Sequence, residues 1–467
     1  MEKTAVNSSV KMVEPVGFKY LSITMFVWAC LSGMCGYGQE TTKPNIIYIQ
    51  ADDLGWSELG CYGNPFNETP ALDSLARHGI RFTQAYAAAP VCSPTRVALL
   101  TGKHPARVGI TDYLDVRDEK FLSPDYLTLN EQLAKAGYHS GLIGKWHLTG
   151  DYDKKKGAPE KHGWDEIISS ETRYIAGGAY FYPYFFLPGA TAEPGQEYLT
   201  DRLNQQAIDF ITRNSGKRFF LYLSHYSVHT KLSGKQVKVS KFKTKRGAGT
   251  TQNNPELAAM LESIDDGVAG IVSALRKQGI ERNTLIIFTS DNGGETTVTS
   301  NAPLRAGKST LYEGGIRVPF VAYWPGKIKP GTSCDIPVNT LDIFPTLTAV
   351  AHLPVLDSKQ YDGKDISRLL YGKGKFKHRD LFWYYPLDKP HFLGGRSANA
   401  VRSGNFKLIE FFDSGTSELY NIKTDLSEVN NLAERNPEKT KELKELLKNW
   451  RASLNLKRQE KIYIRPE

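Results

Sequence analysis

A cysteine and an arginine one helical turn apart, Cys92 and Arg96, lie in the stretch Val91-Cys92-Ser93-Pro94-Thr95-Arg96-Val97-Ala98-Leu99-Leu100-Thr101-Gly102. Ser93 reads as an N-cap, Pro94 as the first helical residue and Gly102 as a left-handed stop. Cys92 then sits just before a helix N-terminus, where unpaired N–H groups and the macrodipole favour anionic oxygens, and Arg96 at i+4 reaches back to the same spot. Carboxylates come from two other places: Asp52-Asp53 closes the apolar run Ile46-Ile47-Tyr48-Ile49-Gln50-Ala51, and Ser290-Asp291-Asn292-Gly293-Gly294 closes another. Three carboxylates and an amide oxygen are hard donors, suited to Ca²⁺ or Mg²⁺ and not to a thiophilic metal. Cations and imidazoles follow in Gly144-Lys145-Trp146-His147, in Tyr226-Ser227-Val228-His229 and at Lys308. Alternation on an extended segment would point Lys145 and His147 the same way. Taken singly, each group has a plain reading as a packed thiol, a turn acid or a solvated base. As a set they describe chemistry on an anion, held beside a hard metal ion with groups able to move protons.

Those residues need a scaffold that gathers strand ends. Pro44 to Asp53 reads as a buried strand of a sheet covered on both faces, with its acids at the carboxyl end, where open α/β sheets place ligands. Helical patterns at Leu72 to His78, Leu127 to Lys135 and Pro255 to Gln278 alternate with strands at Ser140 to Ile143, Phe219 to Ser224 and Thr284 to Thr289. This is the rhythm of a layered α/β domain, assigned to residues 39–375. From about residue 376 the texture changes. Short strands at Asp380 to Tyr385, Ala398 to Arg402 and Phe406 to Glu410 precede a charged helix, Pro437 to Leu454, and make an α+β subdomain over 376–467.

The order of motifs resembles the type I sulfatases: C-x-P-x-R, then G-K-W-H, then a histidine, then D-N-G-G, then a lysine before Leu311-Tyr312-Glu313-Gly314-Gly315. The likeness spans roughly residues 43–455, including Glu418-Leu419-Tyr420-Asn421. It implies an alkaline-phosphatase-like fold, a large mixed sheet sandwiched between helices. It also implies that Cys92 is oxidised to formylglycine by a formylglycine-generating enzyme, and that Asp52, Asp53, Asp291 and Asn292, with residue 92, hold Ca²⁺. On this resemblance one hydroxyl of the aldehyde hydrate attacks sulfur with Asp291 accepting its proton, and Arg96, Lys145 and Lys308 hold the sulfate. His229, helped by Lys308, protonates the leaving alcohol, and His147 takes the second hydroxyl's proton to expel sulfate. The family's W-H-Y-P-H-like segment reads Trp383-Tyr384-Tyr385-Pro386 here, a departure, so no substrate contact carries over from it.

The 467 residues carry 59 Lys and Arg against 50 Asp and Glu, a net charge of +9, which suits an anionic partner. No helix-turn-helix, zinc-finger or RNA-binding signature points to nucleic acid, whereas a sulfated carbohydrate satisfies the same electrostatics. Sugar contacts are expected from Lys103, His104, His391 and Arg396. The aromatic block Tyr174 to Phe186 offers a stacking wall, and Lys231 to Arg246, with seven basic residues and no acid, a polyanion-binding loop. Residues 1–38 read as an export signal, with Lys3, Lys11 and Lys19 before the apolar stretch Tyr20 to Cys35, which places the mature protein in the periplasm or outside the cell. The stretch is short and interrupted for stable membrane insertion, and neither of its cysteines follows a convincing lipoprotein box, which leaves a lipid-anchored form as the less favoured alternative. Only Cys61, Cys92 and Cys334 lie beyond it, which argues against a disulfide framework. Two rival readings share these residues: a phosphate or phosphonate monoester hydrolase of the same fold, and an inactive sulfated-glycan-binding protein.

Overall fold

Four consecutive apolar residues, Ile46 to Ile49, demand cover on both faces, and β1 (Asn45–Ala51) is buried along its whole length. In the computed structural model, which describes residues 9–13, 43–116, 118–172, 179–184, 186–187, 197–354, 357, 360–373 and 376–456, β1 runs near the middle of a nine-stranded sheet. Its other strands are β2 (Ile80–Tyr86), β3 (His139–Gly144), β4 (Glu166–Ile168), β5 (Phe219–Ser224), β6 (Thr284–Ser290), β7 (Arg317–Tyr323), β8 (Thr332–Cys334) and β9 (Val338–Asn339). The order is β4-β3-β5-β1-β6-β7-β2-β8, with β9 also paired to β2. Neighbours from β4 to β6 are parallel, while β7 is antiparallel to both β6 and β2. Two reversals restore β2 to the direction of the parallel set. The carboxyl ends of β1, β2, β3, β5 and β6 therefore open on one edge, where a single sheet can assemble a site.

The principal helices are α1 (Pro70–His78), α2 (Cys92–Thr101), α3 (Leu199–Arg213), α4 (Gln236–Lys243), α5 (Pro255–Lys277), α6 (Ile343–Val350) and α7 (Pro437–Ser453). Alternation in β1 sends Ile47 and Ile49 to one core with Leu203, Phe210, Ile264 and Val268 of α3 and α5. Ile46 and Tyr48 go to the opposite core with Val97, Leu100, Phe344 and Leu347 of α2 and α6. Each such fully buried side chain contributes about 1.5–3 kcal/mol. A second, antiparallel sheet, β10 (Leu381–Tyr385), β11 (Ala398–Ser403), β12 (Phe406–Phe411) and β13 (Ser417–Asn421), packs Val401, Leu408 and Leu419 on Leu443 and Leu447 of α7. Trp383, Tyr385, Ile409 and Phe411 on its other face meet Tyr86 at the end of β2 and Ile316 just before β7.

The chain divides into Met1–Thr42 and Lys43–Glu467, so both sheets belong to one unit. Apart from residues 9–13, the expected export segment lies outside the described residues, and among the described residues no helix is long and apolar enough to cross a membrane. Three expectations change on the structure. Helix α2 begins at Cys92, and Ser93 is buried in its first turn, where its Oγ accepts the Leu114 N–H. The run Lys231 to Arg246 is no free loop: it folds as α4 against α5, and Lys235, Lys238, Lys241 and Lys245 pair with Asp201, Asp266, Glu262 and Glu68. In the aromatic block Tyr180, Tyr184 and Phe186 join the hydrophobic core instead of standing as a wall, while Tyr174 lies outside the described residues.

Candidate active site

Strand ends and one helix N-terminus meet where the sequence placed its acids. Asp52 and Asp53 follow β1, Asp291 and Asn292 follow β6, Cys92 opens α2 after β2, and Lys145 follows β3. Two glycines permit the approach. Gly144 has φ +95°, and a Cβ there would lie 2.0 Å from the Ser224 carbonyl, so the chain can leave β3 flush against β5. A Cβ on Gly293 would lie 1.7 Å from the Gly314 carbonyl, which is why Asn292 is followed by glycine. Asp53 itself adopts φ 60°, a left-handed conformation that aspartate tolerates.

Metal-ligating atoms of Asp52, Asp53, Cys92 and Asp291 lie within 4.8 Å of one another, and those of Asp53, Cys92 and His229 form an overlapping group. The Asn292 amide donates to Asp53 Oδ1 at 2.7 Å, while its own Oδ1 is buried without a hydrogen-bond partner. An orphaned carbonyl oxygen beside three carboxylates fits a hard cation as its missing partner.

The cations interleave with the acids. Fully buried Arg96 bonds Asp291 Oδ2 at 2.7 Å and reaches Asp52 at 3.8 Å, with Ser224 Oγ, Tyr222 Oη and the Lys145 carbonyl also accepting from it. Lys145 Nζ donates to Asp52 Oδ2, and Lys308 Nζ to Asp53 Oδ2 at 2.7 Å. His229 Nε2 faces the same Asp53 oxygen at 3.6 Å. Cys92 Sγ lies 3.4 Å from Asp52 Oδ1.

These contacts split the acids. Burial opposes the charge on Asp52, but Lys145, His229, Arg96 and Lys308 outweigh it and hold the carboxyl well below the usual range. Burial, reinforced by the Asp52 charge, pushes Asp291 up to about 7. Burial also raises the Cys92 thiol well above its ordinary value, so the unmodified side chain is a protonated, weak nucleophile. Burial and then Lys308 lower His229, so its imidazole needs an added negative charge beside it to hold a proton.

Lys145 and His147 do not lie on an extended segment. Positive φ at Gly144 and His147 breaks the alternation. Lys145 turns to Asp52, and His147 Nε2 donates to the Leu114 carbonyl at 3.0 Å, its basicity lowered by burial and by Lys145. Glu171, which the sequence reading missed, fixes this bend: its carboxylate accepts the Trp146 N–H at 2.8 Å, the His147 N–H and the Tyr226 hydroxyl. A lone glutamate in a loop carries no sequence signal. Tyr222 and Ser224, which accept from Arg96, were also missed, as was Gln50, which accepts from the Tyr222 hydroxyl; alternation along β5 would have found the first two.

Of the expected sugar contacts, His391 is held near the site. It packs edge-on to Tyr113 at 5.6 Å, and burial with Lys308 lowers it to about 4. Lys103 and His104 follow the far end of α2, about 15 Å from Cys92 at 1.5 Å per residue. There Lys103 bonds the Gln360 carbonyl, and His104 caps a short helix against Trp450. Arg396 is spent on a two-pronged pair with Asp413.

A profile of the Sulfatase family matches residues 44–353, and one described as N-sulphoglucosamine sulphohydrolase, C-terminal, matches residues 306–456. The chain is 34% identical to arylsulfatase A of Bos taurus over 421 residues, 84% of this chain and 79% of that one. A protein of Formosa agariphila described as a sulfatase is 29% identical, covering 85% of both chains. The crystal structure of Ps i-CgsB in complex with k-i-k-neocarrahexaose superposes with a TM-score of 0.78 at 29% identity, covering 91% of this chain and 95% of that one.

Proposed function

Because the chain belongs to the sulfatase family and is a sulfuric ester hydrolase, we propose that it removes sulfate from a sulfated carbohydrate outside the cytoplasm. In this reading Cys92 is converted to formylglycine, and Ca²⁺ is held by Asp52, Asp53, Asp291 and Asn292 with residue 92. The observation that carries the reading is the meeting of Cys92, three acids, Lys145, Lys308 and an unpartnered Asn292 oxygen at one sheet edge. A carbohydrate substrate is supported by the likeness to Ps i-CgsB, solved with k-i-k-neocarrahexaose.

A formylglycine hydrate would supply two hydroxyls on one carbon, one to take sulfur and one to let the sulfate leave, and the calcium ion would supply positive charge beside the ester oxygens. The chain's own residues do the rest. Three carboxylates face three fixed cations, so a bound dication leaves the set positive and ready for an anion. Lys145 and Lys308 turn from their aspartates toward the sulfate oxygens. Arg96, already bonded to Asp291 and Ser224, fixes the acids behind residue 92. Asp291 accepts the proton of the attacking hydroxyl. His229, beside Lys308, gives its proton to the leaving oxygen once the ester's charge arrives, and His147 draws the last proton from residue 92.

The deciding experiment is mass spectrometry of the tryptic peptide Phe82–Arg96, from protein made in a host that forms formylglycine, with an amine reagent to trap an aldehyde. It is paired with sulfate release from defined sulfated saccharides. An aldehyde at residue 92 with sulfate release is the expected result. A free thiol there, with no release, would overturn the proposal.

A further inference from the structure

A second buried cluster of charges lies where the two sheets meet. Lys407 on β12, with no exposed side-chain surface, sits 3.0 Å from Glu313 and 2.9 Å from Glu428. Glu313 also takes Arg317 at 3.3 Å and the Tyr86 hydroxyl at 2.7 Å. Arg402 of β11, 4% exposed, donates to the Tyr86 hydroxyl, to Gln84 and to the Gly404 carbonyl, but to no carboxylate among the described residues. Three cations thus share two carboxylates. A buried cation without its own counter-ion is costly to hold, and the uncompensated one lies at the wall of a cavity.

That cavity, about 570 Å³, opens between the β2 edge of the large sheet and the small sheet. Arg317 and Arg402 form its floor, Arg379 stacks over Phe376 at one side, and Lys377, His378 and Lys423 stand at its rim. Lys377 and Lys423 are exposed and have no ion pair among the described residues. Asp335 is the one acid in the lining among the described residues, and Ile336, Pro337 and Leu426 give it an apolar side. Cations over a buried guanidinium suit sulfate groups, and the apolar wall suits the face of a sugar ring. A site built for a bare polyanion would not need that wall.

We propose that this cavity is a second binding site, which holds a sulfated polysaccharide chain apart from the residues that act on it. The choice of a sulfated glycan rests on the proposed function; the positive cavity does not. Such a site would keep a long substrate on the enzyme between turnovers by raising its local concentration.

The test uses the full chain as wild type, as Cys92→Ala, and as the double variant Lys377→Glu/Lys423→Glu, two exposed positions outside the active site. Affinities for dextran sulfate, unsulfated dextran and a DNA duplex are measured at one ionic strength, along with kcat/KM on a small aryl sulfate. Dextran sulfate should bind wild type and Cys92→Ala alike. It should bind the double variant at least tenfold more weakly, with aryl-sulfate turnover within twofold of wild type and unsulfated dextran binding none of them. Undiminished binding by the double variant, no binding by wild type, or equal binding of unsulfated dextran would overturn the proposal. DNA binding as tight as dextran sulfate and lost in the same variant would overturn the assignment to a glycan. If no sulfate ester is hydrolysed while dextran sulfate binding stands and is lost in the double variant, the proposed function falls and the cavity assignment survives.

Discussion

The molecule holds two buried charge clusters a few residues apart in sequence, one at Lys308 and one at Glu313, and they are built to opposite ends. Around Cys92, three carboxylates crowd within reach of one another, and the Asn292 oxygen is left without a partner. Around Lys407, the carboxylates are separated by the ammonium that bridges them, and the Glu313 N–H closes the set on Glu428. The second cluster ties β2, β7, β11 and β12 together and asks nothing of a ligand at its centre. The first is incomplete as protein alone. Burial of charge is common to both; the difference is where a partner is missing, at the centre of the first cluster, among its own acids, and in the second only at Arg402 on the cavity wall.

That contrast can be broken by separating activity from stability. Cys92→Ala should lose at least about 10³-fold in kcat on any sulfate ester while thermal unfolding stays within about 2 °C of wild type; an active variant would remove residue 92 from the reaction. Glu313→Ala should do the reverse. It strands Lys407 and Arg317 without a shared carboxylate and should lower stability by about 3–5 kcal/mol in chemical denaturation, so a loss below about 1 kcal/mol would show that the cluster is no brace. Calcium sharpens the difference. At a hundredfold excess over its Kd, Ca²⁺ should raise the stability of wild type by about 2.7 kcal/mol, and that gain should vanish in Asp53→Asn yet persist in Glu428→Gln.

The smallest effect is a pH slope within the second cluster. Burial, reinforced by the Glu313 charge, lifts the Glu428 carboxyl from 4.5 to about 7. The unfolded chain therefore releases this proton first, and stability falls as pH rises from about 4.5 through 7. Glu313 runs the other way: burial opposes its charge, but Lys407, Arg317 and Arg402 hold it at about 2, so its contribution is full above 4.5 and is lost as pH falls toward 2. Between pH 5 and 8 wild type should lose of order 2 kcal/mol relative to Glu428→Gln. Parallel stability curves would show that Glu428 is ionised throughout.

What the sequence made legible follows from how far each signal travels along the chain. Asp52, Asp53, Asp291 and Asn292 were readable because each pair ends an apolar run, and strand ends of one α/β sheet converge. Cys92 and Arg96 were readable because one helical turn joins them. Lys231 to Arg246 misled because its counter-charges, Glu68, Asp201, Glu262 and Asp266, come from three other segments. For Lys103 and His104, nearness to Cys92 in sequence becomes distance along a helix axis. The cluster at Lys407 was invisible for the same reason in reverse, since its members are spread from Tyr86 to Glu428 and meet only when the two sheets pack.

Cys92 is 2% exposed, and the groups that enclose it arrive late. Lys308 is made about two hundred residues after Cys92, which at 5–20 residues per second leaves an interval of about 10–40 s. Any enzyme that remodels this side chain must work inside that interval or on a chain kept from closing, since the finished fold hides its substrate. If Cys92 is converted as proposed, the conversion would be a race against folding, and conditions that speed closure of the domain, such as a tighter junction between the two sheets, would lower the yield of modified protein.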